Sequence, residues 1–315
     1  MRILIVGAGA IGGYFGARLM AAGRDVTFLV RPGRAEQLRR HGLAVTSPLG
    51  DLNLPTPPLV SAQSLRDFYD LVVLSSKSYD LEASINDFAA AVGPNSAVLP
   101  LLNGLRHLDV LDARFGAQRV LGGLARISST LDADGRIHQL GTFNSLAFGP
   151  RSGGAAGRIE DIAGVLRVPG FDAHLSADIL HEMWEKWVFI AAAAATTSLM
   201  RAAVGDIVAA GAQDIPLGLL EECGAIAAAN GFKPREAAMS AGTSILTASG
   251  SLFTASMLRD IELGGRIEAD HIVGDLLRRA PSAVPTPLLA TAYAHLRAYE
   301  ARRTREAHHG TVRPR

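Results

Sequence analysis

Short runs of large apolar residues alternate with amphipathic stretches through the first half of the chain. ILIV (3–6), DVTFLV (25–30), DLVVLSS (70–76) and AVLPLL (97–102) are apolar at consecutive positions and bounded by turn residues. That is the pattern of parallel strands covered on both faces. Between them, helical periodicity predicts helices around 11–22, 33–41, 80–92 and 105–115. Strand and helix in strict alternation imply right-handed crossovers and a doubly wound parallel sheet, an α/β fold. Two further extended segments, roughly 119–129 and 136–148, meet across DADG (132–135), a hairpin-type turn. After VPGFDAHLS (168–176) the texture changes. From Ala177 to Arg302 the pattern is almost wholly helical, punctuated by Pro234, Pro281, Pro285 and Pro287. The expected organisation is a dinucleotide-type sheet domain over 1–174, an all-helical domain over 175–302, and a mobile basic tail over 303–315.

The first strand runs straight into GAGAIGG, so Gly7, Ala8, Gly9, Ala10, Ile11 and Gly12 form a loop between a strand and a helix. Gly7 permits the tight turn, Gly9 lets backbone approach a pyrophosphate, and Gly12 lets helix and strand pack closely. The helix start adds amide donors and the positive end of its dipole. These features predict a Rossmann-type cofactor domain. At the end of the second strand an NAD-binding domain usually places Asp or Glu, whereas this chain has LVRPGR, with Arg31 at the strand end and Arg34 one helical turn on. A guanidinium binds a 2′-phosphate in a forked geometry, so NADP (NADPH) is the expected cofactor; the alternative is a pair of ordinary solvated charges. The strand at 70–76 ends beside Lys77 and that at 97–102 beside Asn103, both where ligands of such sheets gather. Asn-Gly is also a common turn pair.

Bulk properties narrow the classes. Hydrophobic residues make up 48% and charged residues 19% of 315, which suits a soluble globular chain with a sizeable core. A formal net charge of +1 provides no global field for nucleic acid or an anionic membrane. Cys223 is the single cysteine, which excludes an intrachain disulfide or a cysteine-based zinc cluster, and no metal is expected. The apolar N-terminus fits a strand and tight turn better than a signal peptide, and the longest apolar run, Val188 to Ala195, is too short to span a bilayer. A cytoplasmic protein is the default expectation.

The remaining signal is a charge in an apolar helix. In WEKWVFIAAAAATTSLMRAAVGDI (184–207), Lys186 sits between Trp184 and Trp187. A buried ammonium needs a partner, and desolvation prepares a lysine for proton transfer. The alternative is a lysine that lays its methylenes on apolar surface and keeps its charge in water. Reduction of a carbonyl by hydride needs an acid for the new alkoxide and a cation for any substrate carboxylate. Lys186 could serve both needs at the cofactor cleft, with Ser256 and Glu268 returning to the same place and Glu268 pairing with the lysine.

On these stretches the chain resembles the ketopantoate reductases (2-dehydropantoate 2-reductases), over nearly its whole length outside the tail. The resemblance rests on the glycine triplet with Arg31, SK at Lys77, NG at Asn103, EMWEK at Lys186, and SMLRDI with EADHIVGDLLRRA from Ser256 to Ala280. It implies that Lys186 is the proton donor and holds substrate. It also implies that Ser256 faces substrate, Glu268 faces cofactor and lysine, and Lys77 and Asn103 contact cofactor, with Asn103 beside the substrate as well. One departure stands out. Where family members carry substrate-binding asparagines after the lysine, this chain has Ile190, Ala194 and Val204. An apolar site discriminates weakly against a missing hydroxyl, so the specificity surface is expected to differ. The expected activity is NADPH-dependent reduction of a 2-oxo acid to a 2-hydroxy acid, 2-dehydropantoate to (R)-pantoate in pantothenate biosynthesis being the favoured case. A less polar 2-oxo acid, or a non-catalytic NADP(H)-binding regulator, are the alternatives. The expected partner is a small-molecule 2-oxo acid, with no nucleic acid and no membrane, and the apolar helical domain could support a homodimer.

Overall fold

The computed structural model describes residues 1–151 and 156–308. Its backbone divides into two compact units, Met1–Leu180 and the chain from His181 onward.

The first unit contains, in chain order, β1 (Arg2–Val6), α1 (Ala10–Ala21), β2 (Asp25–Leu29), α2 (Pro32–His41), β3 (Leu43–Thr46), β4 (Leu52–Leu54) and β5 (Leu59–Val60). It continues with β6 (Leu71–Leu74), α3 (Leu81–Phe88), β7 (Ala97–Pro100), α4 (Arg106–Phe115), β8 (Gly122–Leu131), β9 (Ile137–Gly149), α5 (Ala156–Leu166) and β10 (Asp172–Leu175). Five strands form a wholly parallel sheet in the order β5-β2-β1-β6-β7. The chain leaves β1 toward β2 on one side and later returns to β6 on the other, so the strand order reverses beside β1. Ligand crevices of open α/β sheets form at that reversal, outside the carboxyl ends of the strands. The doubly wound sheet expected from the alternating pattern is therefore present, with β5 as an additional edge strand.

A second, mixed sheet was not legible in the pattern. Its strands run β10-β9-β3-β4, with β8 paired to β9. The β8–β9 hairpin closes at the expected DADG turn, where Gly135 has φ +83° and Asp132 N–H donates to the Arg136 carbonyl at 3.0 Å. The stretch around 168–176, which marks the expected change of domain, contains β10, and β10 still belongs to this sheet. Helix α1 lies between the two sheets and is buried from Gly12 to Leu19. A Cβ at Gly16 would lie 2.5 Å from Phe28 of β2, and one at Gly13 would lie 2.4 Å from Ile137 of β9. Two faces of one helix are thus stripped of side chains so that both sheets can approach its backbone. An amphipathic stripe is absent because no face meets water.

The second unit is helical. It holds α6 (Ile179–Met200, beginning two residues before the division), α7 (Val204–Ala209), α8 (Asp214–Ala229), α9 (Glu236–Leu246), α10 (Ser256–Glu262), α11 (Asp275–Arg278) and α12 (Pro287–His308). A π-helical turn, Asp270–Gly274, leads into α11. No strand occurs among its described residues. The prolines act as the sequence predicts: Pro234 precedes α9, Pro281 and Pro285 lie between α11 and α12, and Pro287 occupies the first turn of α12. Glu222 of α8 caps α12, its carboxylate accepting the Leu288 and Leu289 amides at 3.0 and 2.8 Å. The expected tail is corrected in part. Residues 303–308 continue α12, with Arg303 Nε donating to the Gly264 carbonyl at 2.9 Å, because the guanidinium ties the end of the helix back to the turn after α10. Residues 309–315 lie outside the described residues. No described helix is long and apolar enough to cross a membrane.

Candidate active site

The glycine loop is held by its carbonyls. The Ser75 hydroxyl, just past β6, lies 3.0 Å from the Val6 carbonyl oxygen and 3.1 Å from that of Gly7 and can donate to either. Arg34 Nε donates to the Ala8 carbonyl at 2.8 Å, the Gly13 amide to Gly9 at 2.8 Å, and the Ser129 hydroxyl to Ala10 at 3.1 Å. The carbonyls of Ala8, Gly9 and Ala10 are therefore engaged by protein, and that of Gly7 shares the Ser75 hydroxyl with Val6. The first amides of α1 have no acceptor within the helix. A loop whose negative ends are tied down and whose helix amides are free of helical partners is built for an anion.

The glycines fit that reading individually. Gly7 has φ +93°, a left-handed conformation that side chains resist. At Gly12 a Cβ would lie 2.0 Å from Ser75 Oγ and 2.3 Å from the Gly7 carbonyl oxygen, whereas a Cβ at Gly9 would meet nothing within 4 Å. Gly12 is thus required by packing. Gly9 is required only if something outside the chain approaches it, which is what a dinucleotide pyrophosphate would do.

The two arginines after β2 separate. Arg31 precedes α2 with its side chain 56% exposed, and its Nη1 lies 3.2 Å from Asp80 Oδ2. Arg34, expected to share the 2′-phosphate, instead turns inward: besides Ala8 it donates to the Gly135 carbonyl at 2.9 Å and to Gln37 at 3.2 Å. Burial pulls its guanidinium below its ordinary range, with Asp132 opposing. Arg34 therefore braces the glycine loop against the hairpin turn. Lys77 is exposed and Asn103 half-buried; they follow β6 and β7, adjacent parallel strands of the sheet, and Gly104 beside Asn103 has φ +75°. Gly7, Arg31, Lys77 and Asn103 thus follow the carboxyl ends of four neighbouring strands.

In the helical unit Lys186 lies two turns into α6 and is half-buried. Its neighbours are fixed tightly. Trp187 is wholly buried and donates its indole N–H to the Ile272 carbonyl at 2.8 Å, and the Ile272 amide in turn donates to the backbone carbonyl of Glu268 at 2.9 Å. The turn of α6 that carries Lys186 is thereby joined to the segment that starts at Glu268. Trp184 stacks on Phe232, 5.4 Å between ring centroids, and Arg279 lies over both tryptophans. Glu185 is buried in a forked pair with Arg235, at 2.7 and 2.5 Å, and also accepts the Arg235 amide at 2.8 Å. Burial pushes the Glu185 carboxyl up, but the Arg235 contacts outweigh it and hold the carboxyl below its usual range. Ser256 is exposed in the first turn of α10. The amide just before it, Ala255, donates to Thr197 Oγ1 at 3.3 Å. Lys186 and Thr197 are eleven residues apart on α6, which returns to the same helix face.

The sequence model of the family described as ketopantoate reductase PanE/ApbA matches residues 3–153, and that of its C-terminal part matches residues 178–300. The chain belongs to the PanE/ApbA ketopantoate reductase family. It is an oxidoreductase acting on a CH–OH group. Among its relatives, an uncharacterized oxidoreductase of Bacillus subtilis is 37% identical over 96% of this chain and 99% of its own length. A 2-dehydropantoate 2-reductase of Archaeoglobus fulgidus is 29% identical over 88% of this chain and 90% of its own. The solved 2-dehydropantoate 2-reductase of Geobacter metallireducens superposes with a TM-score of 0.86 at 30% identity, over 95% of this chain and 99% of that one. D-mandelate dehydrogenase with NADH and anilino(oxo)acetate shares the fold, with a TM-score of 0.87 at 22% identity over 96% of this chain and 100% of that one.

Within the PanE/ApbA family frame, the apolar substitutions after the lysine need correction. Val204 is not on the lysine helix: α6 ends at Met200, Arg201 has φ +54°, and Val204 starts α7. Val204 is 0% exposed and Ala194 3%, both packed in core, so neither offers a surface to a ligand. Ile190 alone remains, half-buried and one turn beyond Lys186. Ser75, Arg34 in its bracing role, Ser129 and Trp187 were not found as site-supporting residues by sequence reasoning. Their partners lie 26 to 119 positions away and are backbone carbonyls without a side-chain signature, so no local pattern marks them.

Proposed function

We propose that the protein reduces a 2-oxo acid to the 2-hydroxy acid with NADPH, and that 2-dehydropantoate, giving (R)-pantoate for pantothenate biosynthesis, is its substrate. The Gly7–Gly12 loop binds the pyrophosphate through backbone amides, Arg31 attracts the 2′-phosphate, and Lys77 and Asn103 contact the cofactor. The reduced nicotinamide supplies hydride to the carbonyl carbon C2. Lys186 donates the proton that the developing alkoxide oxygen takes up, Glu268 keeps that ammonium charged and oriented, and Ser256 and Asn103 hold substrate oxygens. The observation that supports this most is the hydrogen-bonded link, through Trp187 and Ile272, between the turn of Lys186 and the segment of Glu268. A lysine that only snorkels from a helix end needs no such anchorage. A less polar 2-oxo acid is the second reading, favoured by Ile190 on the Lys186 face. A homodimer in the cytoplasm belongs to the same proposal, and light scattering on the purified protein reads the assembly.

Loss of NADPH absorbance across a panel of 2-oxo acids tests the activity. The highest kcat/KM should fall on 2-dehydropantoate, and Lys186→Ala should lower kcat by about two to four orders of magnitude while cofactor still binds. Turnover of 2-dehydropantoate no better than that of simple apolar analogues would replace it by the second reading. A Lys186→Ala variant of near-normal kcat would remove the proton donor from the scheme.

A further inference from the structure

The ion pair between Arg31 and Asp80 joins opposite sides of the cradle. Arg31 follows β2, and Asp80 ends the short 3-10 turn Ser78–Asp80 after β6. In the sheet order β2-β1-β6 those two strands flank β1. The 3.2 Å contact between Nη1 and Oδ2 therefore spans the gap in which β1 runs out into Gly7. Arg34, in the first turn of α2, is occupied by the carbonyls of Ala8 and Gly135. Of the two guanidiniums expected at a 2′-phosphate, Arg31 is the one left to meet it, and it already has a carboxylate as counter-ion.

We infer that Asp80 is a cofactor-selectivity residue: by neutralising Arg31 it lowers the preference for a dinucleotide with a 2′-phosphate and admits one with a free 2′-hydroxyl. The physical reason is the charge balance of the adenosine end. With Arg31 alone, a dianionic 2′-phosphate meets a net positive site. With Arg31 and Asp80 together that pair is neutral, and the carboxylate repels the phosphate while it can accept a hydrogen bond from a ribose hydroxyl. Both side chains are partly exposed, at 56% and 30%, so water and salt screen the effect and discrimination is modest rather than absolute. This rests on the proposed reading of the Gly7–Gly12 loop as a dinucleotide cradle and sharpens its cofactor.

Equilibrium binding of NADPH and NADH, followed by nicotinamide fluorescence, tests it on wild type, Asp80→Asn and Asp80→Glu. Wild type should bind both within about one order of magnitude of each other. Asp80→Asn should tighten NADPH by about tenfold at low salt and leave NADH within about threefold, and the gain should shrink as ionic strength rises. Asp80→Glu, which keeps the charge, should keep the wild-type ratio. An Asp80→Asn ratio within about twofold of wild type, or equal weakening of both dinucleotides, overturns the selectivity role while leaving the cradle intact. Failure of wild type to bind either dinucleotide overturns the cradle itself and this inference with it.

Discussion

Gly12→Ala separates packing from cofactor binding when read beside Gly9→Ala. At position 12 the new methyl would sit 2.0 Å from Ser75 Oγ and 2.3 Å from the Gly7 carbonyl oxygen. Carbon–oxygen contacts below about 3 Å are strongly repulsive, so a shift of nearly 1 Å is needed. The serine could rotate away, at the expense of its contacts to the Val6 and Gly7 carbonyls. The Gly7 carbonyl cannot, because its residue is held by the amide bond to Leu29 at 3.0 Å in a left-handed turn. An obstacle made of backbone places the substitution near the top of the overpacking range, about 3 kcal/mol, and alanine's better helix propensity returns about 1 kcal/mol. The net loss is about 2 kcal/mol, or roughly 4–8 °C in Tm for a unit of this size. Displacing Gly7 also splays the loop, so NADPH affinity should fall in the same variant. Gly9, with φ −85° and open space around it, accepts alanine without strain. Gly9→Ala should therefore melt within about 1 °C of wild type yet lose cofactor affinity, because its methyl occupies the approach to the pyrophosphate. Calorimetry and fluorescence titration on both variants measure the two quantities. A Gly12→Ala protein with unchanged Tm, or a Gly9→Ala protein with unchanged NADPH binding, would refute the packing and cradle assignments respectively.

Two further outcomes follow from buried ionisable groups. Glu185 is held below its usual range in the folded chain, so its contribution to stability is complete above the unfolded carboxylate value near 4.5 and is lost as pH falls through the folded one. Arg235→Gln should cost about 1–2 kcal/mol at neutral pH, a figure discounted for the 60% exposure of the arginine, and urea melts should show that deficit shrinking toward pH 4; a deficit independent of pH would contradict the pairing. Cys223 is wholly buried in α8, where burial and the nearby Glu222 charge push its thiol far up, so a disulfide reagent should modify it only at the rate of unfolding, and rapid labelling of the native protein would contradict its burial.

The features legible in the sequence are those whose cause is local. A strand buried on both faces must be apolar at consecutive positions, a tight turn into a helix needs glycine, and DADG suits a hairpin because its glycine can take φ +83°. These residues announced the parallel sheet, the hairpin, the glycine loop and the helical second half, and the motifs around Lys186 and Ser256 pointed to the family. Position along the chain could not show where side chains aim. Arg31 and Arg34 are three residues apart and chemically identical, yet one faces solvent and Asp80 while the other is spent on the carbonyls of Ala8 and Gly135. Ile190, Ala194 and Val204 look alike as apolar replacements, but a helix end at Met200 and packing of the core leave only Ile190 near a surface. The second sheet was not legible because β3 and β10 enter it by parallel pairing with β9, and β4 adds only three residues beside β3, through backbone hydrogen bonds that carry no side-chain pattern. Backbone conformation and hydrophobic period are written residue by residue, whereas the direction of a guanidinium and the partner of a carbonyl are settled only when distant segments meet.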